Sequence, residues 1–234
     1  MSSPVTLDNP ICVALDSDDA DRVRALARAT RDAVGMYKIG LTAYVAHGAT
    51  LVGDLATQRP VFLDLKLHDI PMQVEGAARA AARTGASFVT VHALGGSEMV
   101  AAAVAGAGAT NVLAVTVLTS LSAQDLNSLG IGRSPAELVP RLADAALTAG
   151  ASGLVCSAHE VAHLRDRFGP RDGGGPLLVV PGIRDAADSR DDQRRTMSAR
   201  AAVDAGADIV VIGRPITGSD DPAQAARSLL EGLE

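Results

Sequence analysis

The sequence predicts a (β/α)8 TIM barrel, organised as a single domain over residues 1–234. Three observations carry this expectation. Eight short runs of aliphatic and β-branched residues alternate with Ala-, Arg- and Leu-rich helical stretches. The length is ordinary for an α/β barrel built as one unit. Three entries into runs look alike: Thr84-Gly85-Ala86-Ser87, Ala149-Gly150-Ala151-Ser152 and Ala205-Gly206-Ala207-Asp208. Glycine directly after a helix supplies the left-handed cap that turns the chain into the next strand, so these mark repeated joints. An open doubly wound sheet would share most of this pattern.

The first run, 11–16 (ICVALD), ends on Asp16, and the second, 36–39 (MYKI), carries Lys38. The third, 61–66 (VFLDLK), opens the segment Val61-Phe62-Leu63-Asp64-Leu65-Lys66-Leu67-His68-Asp69-Ile70-Pro71. A strand has a side-chain period of two, which places Asp64, Lys66 and His68 on one face and Leu63, Leu65 and Leu67 on the other. The fourth run, 87–92 (SFVTVH), ends on His92. The Ala/Gly-rich stretch 101–109 behind it predicts a small helix packed closely on the sheet. Runs 112–118 (VLAVTVL), 153–157 (GLVCS), 177–181 (LLVVP) and 208–213 (DIVVIG) complete the eight and lead to Thr119, Ser157, Arg184 and Arg214. Residues 183–195 are polar, charged and long for a βα connection, which predicts a mobile loop over a site.

Composition bounds the function. Hydrophobic residues reach 47% and charged residues 21%, enough for a sizeable core, while aromatics are 2% with no Trp, so Ala, Val, Leu and Ile must fill it. Twenty-one Lys and Arg against 27 Asp and Glu give a net charge of −6, which offers no footprint for nucleic acid or an anionic membrane. An anionic substrate must therefore be held by local cations. The N-terminal segment Met-Ser-Ser-Pro-Val-Thr lacks the basic and apolar regions of a signal peptide, and no uncharged apolar run approaches 18 residues, so a cytoplasmic location is expected. Cys12 and Cys156 each sit in an apolar run without the clustered ligands of a metal site, which predicts buried reduced thiols.

The chemistry is expected at the C-terminal ends of the strands. A buried charge costs several kcal/mol unless paired, yet Asp64 and Lys66 stand in an interior strand and Lys38 in its neighbour. These three can alternate as Lys-Asp-Lys, each beside its opposite, holding an ammonium as a positioned proton donor. A structural ion pair is the alternative, for Asp16 as well. Asp69 breaks the period, and a helix-cap role is open to it. Pro181-Gly182-Ile183-Arg184 and Ile212-Gly213-Arg214-Pro215 follow the seventh and eighth runs, where barrels often bind phosphate: Gly permits close backbone approach and Arg offers a fork to the dianion. His92 and His68 read as hydrogen-bonded support, and His47, His159 and His163 as solvated helical residues.

With these residues assembled, the chain resembles the orotidine 5′-phosphate decarboxylases of the shorter bacterial type. The resemblance runs nearly end to end, through Val13-Ala14-Leu15-Asp16, Lys38-Ile39-Gly40, Phe62 to Pro71, Val91-His92-Ala93, Ala114 to Ser120, Val155-Cys156-Ser157-Ala158, Pro181 to Arg184, Asp192-Gln193-Arg194-Arg195 and Val211 to Pro215. Asp-x-Lys-x-x-Asp alone marks a wider suprafamily; with Lys38 and the two Arg loops it is specific. The resemblance implies decarboxylation of orotidine 5′-phosphate to UMP without a cofactor or metal. It implies that Lys66 stabilises the C6 carbanion and delivers the proton, that Asp64 lies against the departing carboxylate, and that Lys38 bridges the network and reaches a ribose hydroxyl. Asp16 would also bind ribose, Thr119 would lie beside the pyrimidine, and Arg184, Gln193, Gly213 and Arg214 would grip the phosphate. Asp69 would cross to the partner's site, implying a homodimer with shared active sites. The family usually continues Asp-Ile-Pro-Asn-Thr, whose Thr contacts ribose; here Met72-Gln73 stands instead, and Gln73 offers a donor on a longer side chain.

Two rivals remain at this level. Relatives in the same suprafamily, 3-keto-L-gulonate 6-phosphate decarboxylase and hexulose-6-phosphate synthase, use Mg²⁺ held by carboxylates, with Glu where this chain has Lys38. A cation at that position would repel the metal. The other rival is a non-catalytic barrel that binds UMP or another phosphate ligand.

Overall fold

A computed structural model describes residues 8–183 and 197–233. Eight parallel strands close on themselves in chain order: β1 (Ile11–Ala14), β2 (Met36–Ile39), β3 (Val61–Leu67), β4 (Phe88–His92), β5 (Asn111–Val115), β6 (Gly153–Val155), β7 (Leu177–Val180) and β8 (Ile209–Ile212). Cys12 of β1 pairs with Met36 of β2 on one side and with Val211 of β8 on the other, so no edge remains and the open-sheet alternative falls away. The helices are α1 (Ala20–Thr30), α2 (Leu41–Ala56), α3 (Pro71–Ala82), α4 (Ser97–Ala107), α5 (Ala123–Ser128), α6 (Pro135–Thr148), α7 (Val161–Phe168), α8 (Ala199–Asp204), α9 (Arg214–Thr217) and α10 (Pro222–Glu231).

Strands covered on both faces must be apolar on both faces, which is why the sequence shows nearly continuous hydrophobic runs. One set of side chains packs outward under the helices, including Val13, Ile39, Leu63, Val89 and Leu178. The other fills the barrel: Cys12, Met36, Phe62, Phe88, Leu113, Leu177 and Ile209 are buried there, and Phe62 meets Phe88 edge to face with centroids 6.4 Å apart. Neither cysteine forms a disulfide and both are buried, and burial pushes the Cys12 thiol far above its ordinary value despite the Lys38 charge nearby. Gly85, Gly150 and Gly206 have φ of 81°, 95° and 105°, the left-handed joints expected from their repeated context.

Three expectations need correction. The fifth strand stops at Val115 rather than running to 118; Thr116 gives both its N–H and its hydroxyl to the Val155 carbonyl, and Val117 and Leu118 beyond it line a cavity. His47 is half-buried, with Nε2 shielded from solvent and without a partner among the described residues, whereas His159 and His163 are exposed as expected. The Ala/Gly-rich helix α4 uses its small residues chiefly against α3: a Cβ on Gly106 would stand 2.2 Å from the Glu75 carbonyl oxygen.

That contact reverses a general rule. Gly→Ala inside a helix usually stabilises by up to about 1 kcal/mol, and Gly76 in α3, with open space around it, should follow the rule. Gly106→Ala should instead destabilise by about 1–3 kcal/mol through overpacking, lowering Tm while Gly76→Ala raises it. Thermal unfolding of the two variants checks the opposite signs.

Candidate active site

The site begins with an irregularity in β3. Leu63 pairs with Val89 of β4, and the next registered pair is Leu67 with Val91, so β3 spends four residues where β4 spends two. Within the bulge Lys66 has φ of 52°, the one non-glycine residue with positive φ among those described. Its backbone N–H donates to the Thr90 hydroxyl at 2.8 Å.

Asp64 and Lys66 both reach into the barrel mouth. Lys66 Nζ donates to Asp64 Oδ2 at 2.8 Å, and Lys38 Nζ from β2 stands 3.4 Å from the same oxygen. Behind them Thr90 Oγ1 donates to Asp64 Oδ1 at 3.0 Å. The Asp64 side chain is only 12% exposed. Burial alone pushes such a carboxyl up, but the Lys38 and Lys66 charges, with hydrogen bonds from Lys66 and Thr90, outweigh it and hold Asp64 below its ordinary value. Two ammoniums around one carboxylate leave one positive charge in excess, and the Lys66 side chain, 30% exposed, faces the cavity. An anionic ligand is therefore attracted overall, while any carboxylate near Asp64 is repelled locally.

These groups floor a cavity of about 730 Å³. Asp16, Lys38, Asp64, Lys66, Thr119, Gly213 and Arg214 all line it, as do Pro181, Gly182 and Ile183. Apolar walls come from Phe62, Val115, Val155 and Val211. Asp16 Oδ1 accepts the Ala43 N–H at 2.8 Å, which ties the loop after β1 to the start of α2. Arg184 and Gln193 lie outside the described residues, as does most of the 183–195 loop. Ile183 and Met197, on either side of the undescribed stretch, form an isolated β-bridge beside the cavity.

The bulge also redirects the residues beyond Lys66. His68, expected on the face of Asp64 and Lys66, is exposed and absent from the cavity wall; its ring packs at a tilt on His92, centroids 5.4 Å apart. An inserted stretch shifts the alternation, so period two holds for Asp64 and Lys66 and fails after them. His92 Nδ1 is buried without a partner among the described residues, so hydrogen-bonded support is not seen there. Burial, His68 and Lys66 hold the His92 ring neutral, against the smaller pull of Asp64. Asp69 is exposed on the rim, outside the cavity lining, and accepts its neighbour's N–H, from Ile70 at 2.7 Å. That is not a helix cap: Ile70 occupies the cap position of α3. Gln73 is exposed in the first turn of α3 and does not line the cavity.

Two participants are not evident from strand ends alone. Thr90 is the lone polar side chain between Phe88 and His92 on the inward positions of β4, a usable signal that lies inside a strand rather than at its end. Gly40 lies against the Asp16 carboxylate so closely that a Cβ would stand 2.3 Å from Oδ2. Among the described residues no three His, Cys, Asp or Glu converge so as to hold a metal ion, and no helix is long and apolar enough to cross a membrane.

The same architecture recurs in known proteins. A protein from Anaeromyxobacter dehalogenans (strain 2CP-1) named orotidine 5′-phosphate decarboxylase is 53% identical over 225 residues, covering 95% of this chain and 97% of that one. One of the same name from Thermobifida fusca (strain YX) is 44% identical, with 96% of both chains covered. The crystal structure of orotidine 5′-phosphate decarboxylase from Lactobacillus acidophilus superposes with a TM-score of 0.84 at 34% identity, covering 97% of this chain and all of that one. The family model described as orotidine 5′-phosphate decarboxylase / HUMPS family matches residues 9–229. This chain belongs to that family.

Proposed function

We propose that the chain decarboxylates orotidine 5′-phosphate to UMP and CO₂ in pyrimidine biosynthesis, in the cytoplasm and without a cofactor. The observation that carries this reading is the Lys38-Asp64-Lys66 array at the floor of a cavity that Gly213 and Arg214 also line. In the reaction the C6–carboxylate bond breaks, CO₂ leaves, and the electron pair stays on C6. The Lys66 ammonium stabilises that pair and transfers its proton to C6, after which the amine regains a proton from water. Asp64 destabilises the bound carboxylate more than the carbanion that replaces it, and this difference lowers the barrier. Lys38 keeps Asp64 ionised and reaches a ribose hydroxyl, which Asp16 also binds. Thr119 lies by the pyrimidine, and Gly213 and Arg214, with Arg184 and Gln193, hold the phosphate. Binding energy gathered at the phosphate can then act at C6.

Lys38 also separates the two chemistries that the family name joins. A Mg²⁺ ion prefers several carboxylate or water oxygens, and here an ammonium occupies the position beside Asp64.

We further propose a homodimer in which Asp69 completes the partner's network. Asp69 stands on the rim outside its own cavity, beside exposed Ile70 and Met72. Leu41, Val45 and Leu94 follow strands β2 and β4, which flank β3, and are also exposed, 82% for Val45. An apolar patch beside an unmatched carboxylate suits an interface better than water.

The reading is checked by ultraviolet absorbance on adding orotidine 5′-phosphate in excess EDTA. Full conversion to UMP is expected; turnover lost to EDTA and restored by Mg²⁺ would overturn it. Lys66→Ala should cut kcat by roughly 10²- to 10⁴-fold, the usual contribution of a general acid, while UMP binding persists in calorimetry. Asp69→Ala and Lys66→Ala protein should each be strongly impaired alone, yet mixing them should raise the activity above that of either by forming sites with both native residues. No recovery after confirmed subunit exchange would refute shared sites.

A further inference from the structure

The Asp64 carboxylate is gripped from two sides. Lys66 and Lys38 approach Oδ2 from the cavity, at 2.8 and 3.4 Å, while Thr90 Oγ1 donates to Oδ1 from behind at 3.0 Å. Thr90 is fully buried and takes no part in the cavity wall, so it cannot touch a ligand there. The same hydroxyl accepts the Lys66 backbone N–H at 2.8 Å.

That second bond falls where the sheet offers least support. Residues 64 to 66 have no registered partner on β4, and Lys66 holds a left-handed backbone that a non-glycine residue keeps only when its surroundings impose it. A hydroxyl has one proton and lone pairs to spare. Here the proton goes to the carboxylate and a lone pair takes the amide, so one side chain fixes both the Asp64 rotamer and the Lys66 backbone. Valine would fill the same space in a barrel interior without a buried hydroxyl to satisfy. Resting on the decarboxylase reading above, we propose that Thr90 is a positioning residue for proton transfer: by joining the Asp64 carboxylate to the Lys66 amide, it holds the Lys66 ammonium over the reacting carbon.

The groups facing Asp64 are Lys38 from β2, Lys66 on its own strand, Thr90 and the neutral His92 from β4, and Cys12 of β1, whose thiol stays protonated. Removing the Thr90 hydroxyl withdraws a donor from the ionised carboxylate and leaves the Lys66 amide unpaired.

The test compares Thr90→Val with Thr90→Ser in the full-length protein. Losing a hydrogen bond to a charged group should lower kcat for orotidine 5′-phosphate about 10- to 100-fold in Thr90→Val. KM and UMP affinity should change little. The acid limb of the kcat profile should move to higher pH, because Asp64 with one donor fewer is easier to protonate. Thr90→Ser should restore both kcat and the acid limb. If the valine variant does not fold, Thr90→Ala against Thr90→Ser isolates the same hydroxyl, since both lack the methyl group. A purely structural role would lower Tm in proportion to lost packing and leave the pH profile in place. Wild-type turnover with unchanged kcat and acid limb in the hydroxyl-free variant overturns the inference alone. Wild-type protein inert toward orotidine 5′-phosphate overturns the proposed reaction, and this inference with it.

Discussion

A largely buried carboxylate kept ionised at the floor of the cavity is the constraint around which the rest is arranged. Removing such a charge from water costs several kcal/mol, and Asp64 is compensated by three groups that come from three adjacent strands: the Lys38 charge on β2 and the Lys66 and Thr90 donors on β3 and β4. The alignment of those strands is therefore part of the electrostatics. Tyr37 and Lys38 pair with Val61 and Phe62, which sets Lys38 one inward position below Asp64, and Phe62 pairs with Phe88, which sets Thr90 behind it. A slip of one residue would turn every one of these side chains to the opposite face of the sheet.

The inner packing prepares this floor. Phe62 and Phe88 contact each other below the array, and Cys12, Met36, Leu113 and Ile209 fill the remaining space. With solvent excluded from beneath, the ammoniums can offset the Asp64 charge far more effectively than they would in water. The polar groups stand further along the same strands, so a change from large apolar to charged side chains marks the boundary between support and chemistry.

Much of this is legible in the sequence. Eight apolar runs with repeated glycine joints imply a parallel sheet covered by helices on both faces, and it is the closure of β1 on β8 that separates a barrel from an open doubly wound sheet. Asp64 and Lys66 share a face by simple alternation, and Lys38 joins them because consecutive strands of a barrel are neighbours. The bulge is not legible: nothing in Leu65-Lys66-Leu67 announces an interrupted ladder, and so alternation carries His68 onto a face it does not occupy. Thr90 is hidden for a related reason, since a hydroxyl matters only once its partners across the sheet are known. The small residues of α4 do signal close packing, but against α3 rather than the sheet, because composition records that a surface is approached and not by what. Arg184 and Gln193 fall outside the described residues, so of the two Gly-Arg loops the cavity wall shows Gly182, Gly213 and Arg214.

The closed strand order sets β3 and β7 on opposite sides of the ring, so Lys66 and Gly182 line the cavity from opposite sides. A rigid barrel fixes the span between these sides. The cavity thus acts as a gauge of molecular length: a short ligand engages one side only, whereas one long enough to reach both gains from each at the entropic cost of a single capture. Selectivity of this kind belongs to the diameter of the fold more than to any one side chain, and it would persist through many substitutions in the walls between.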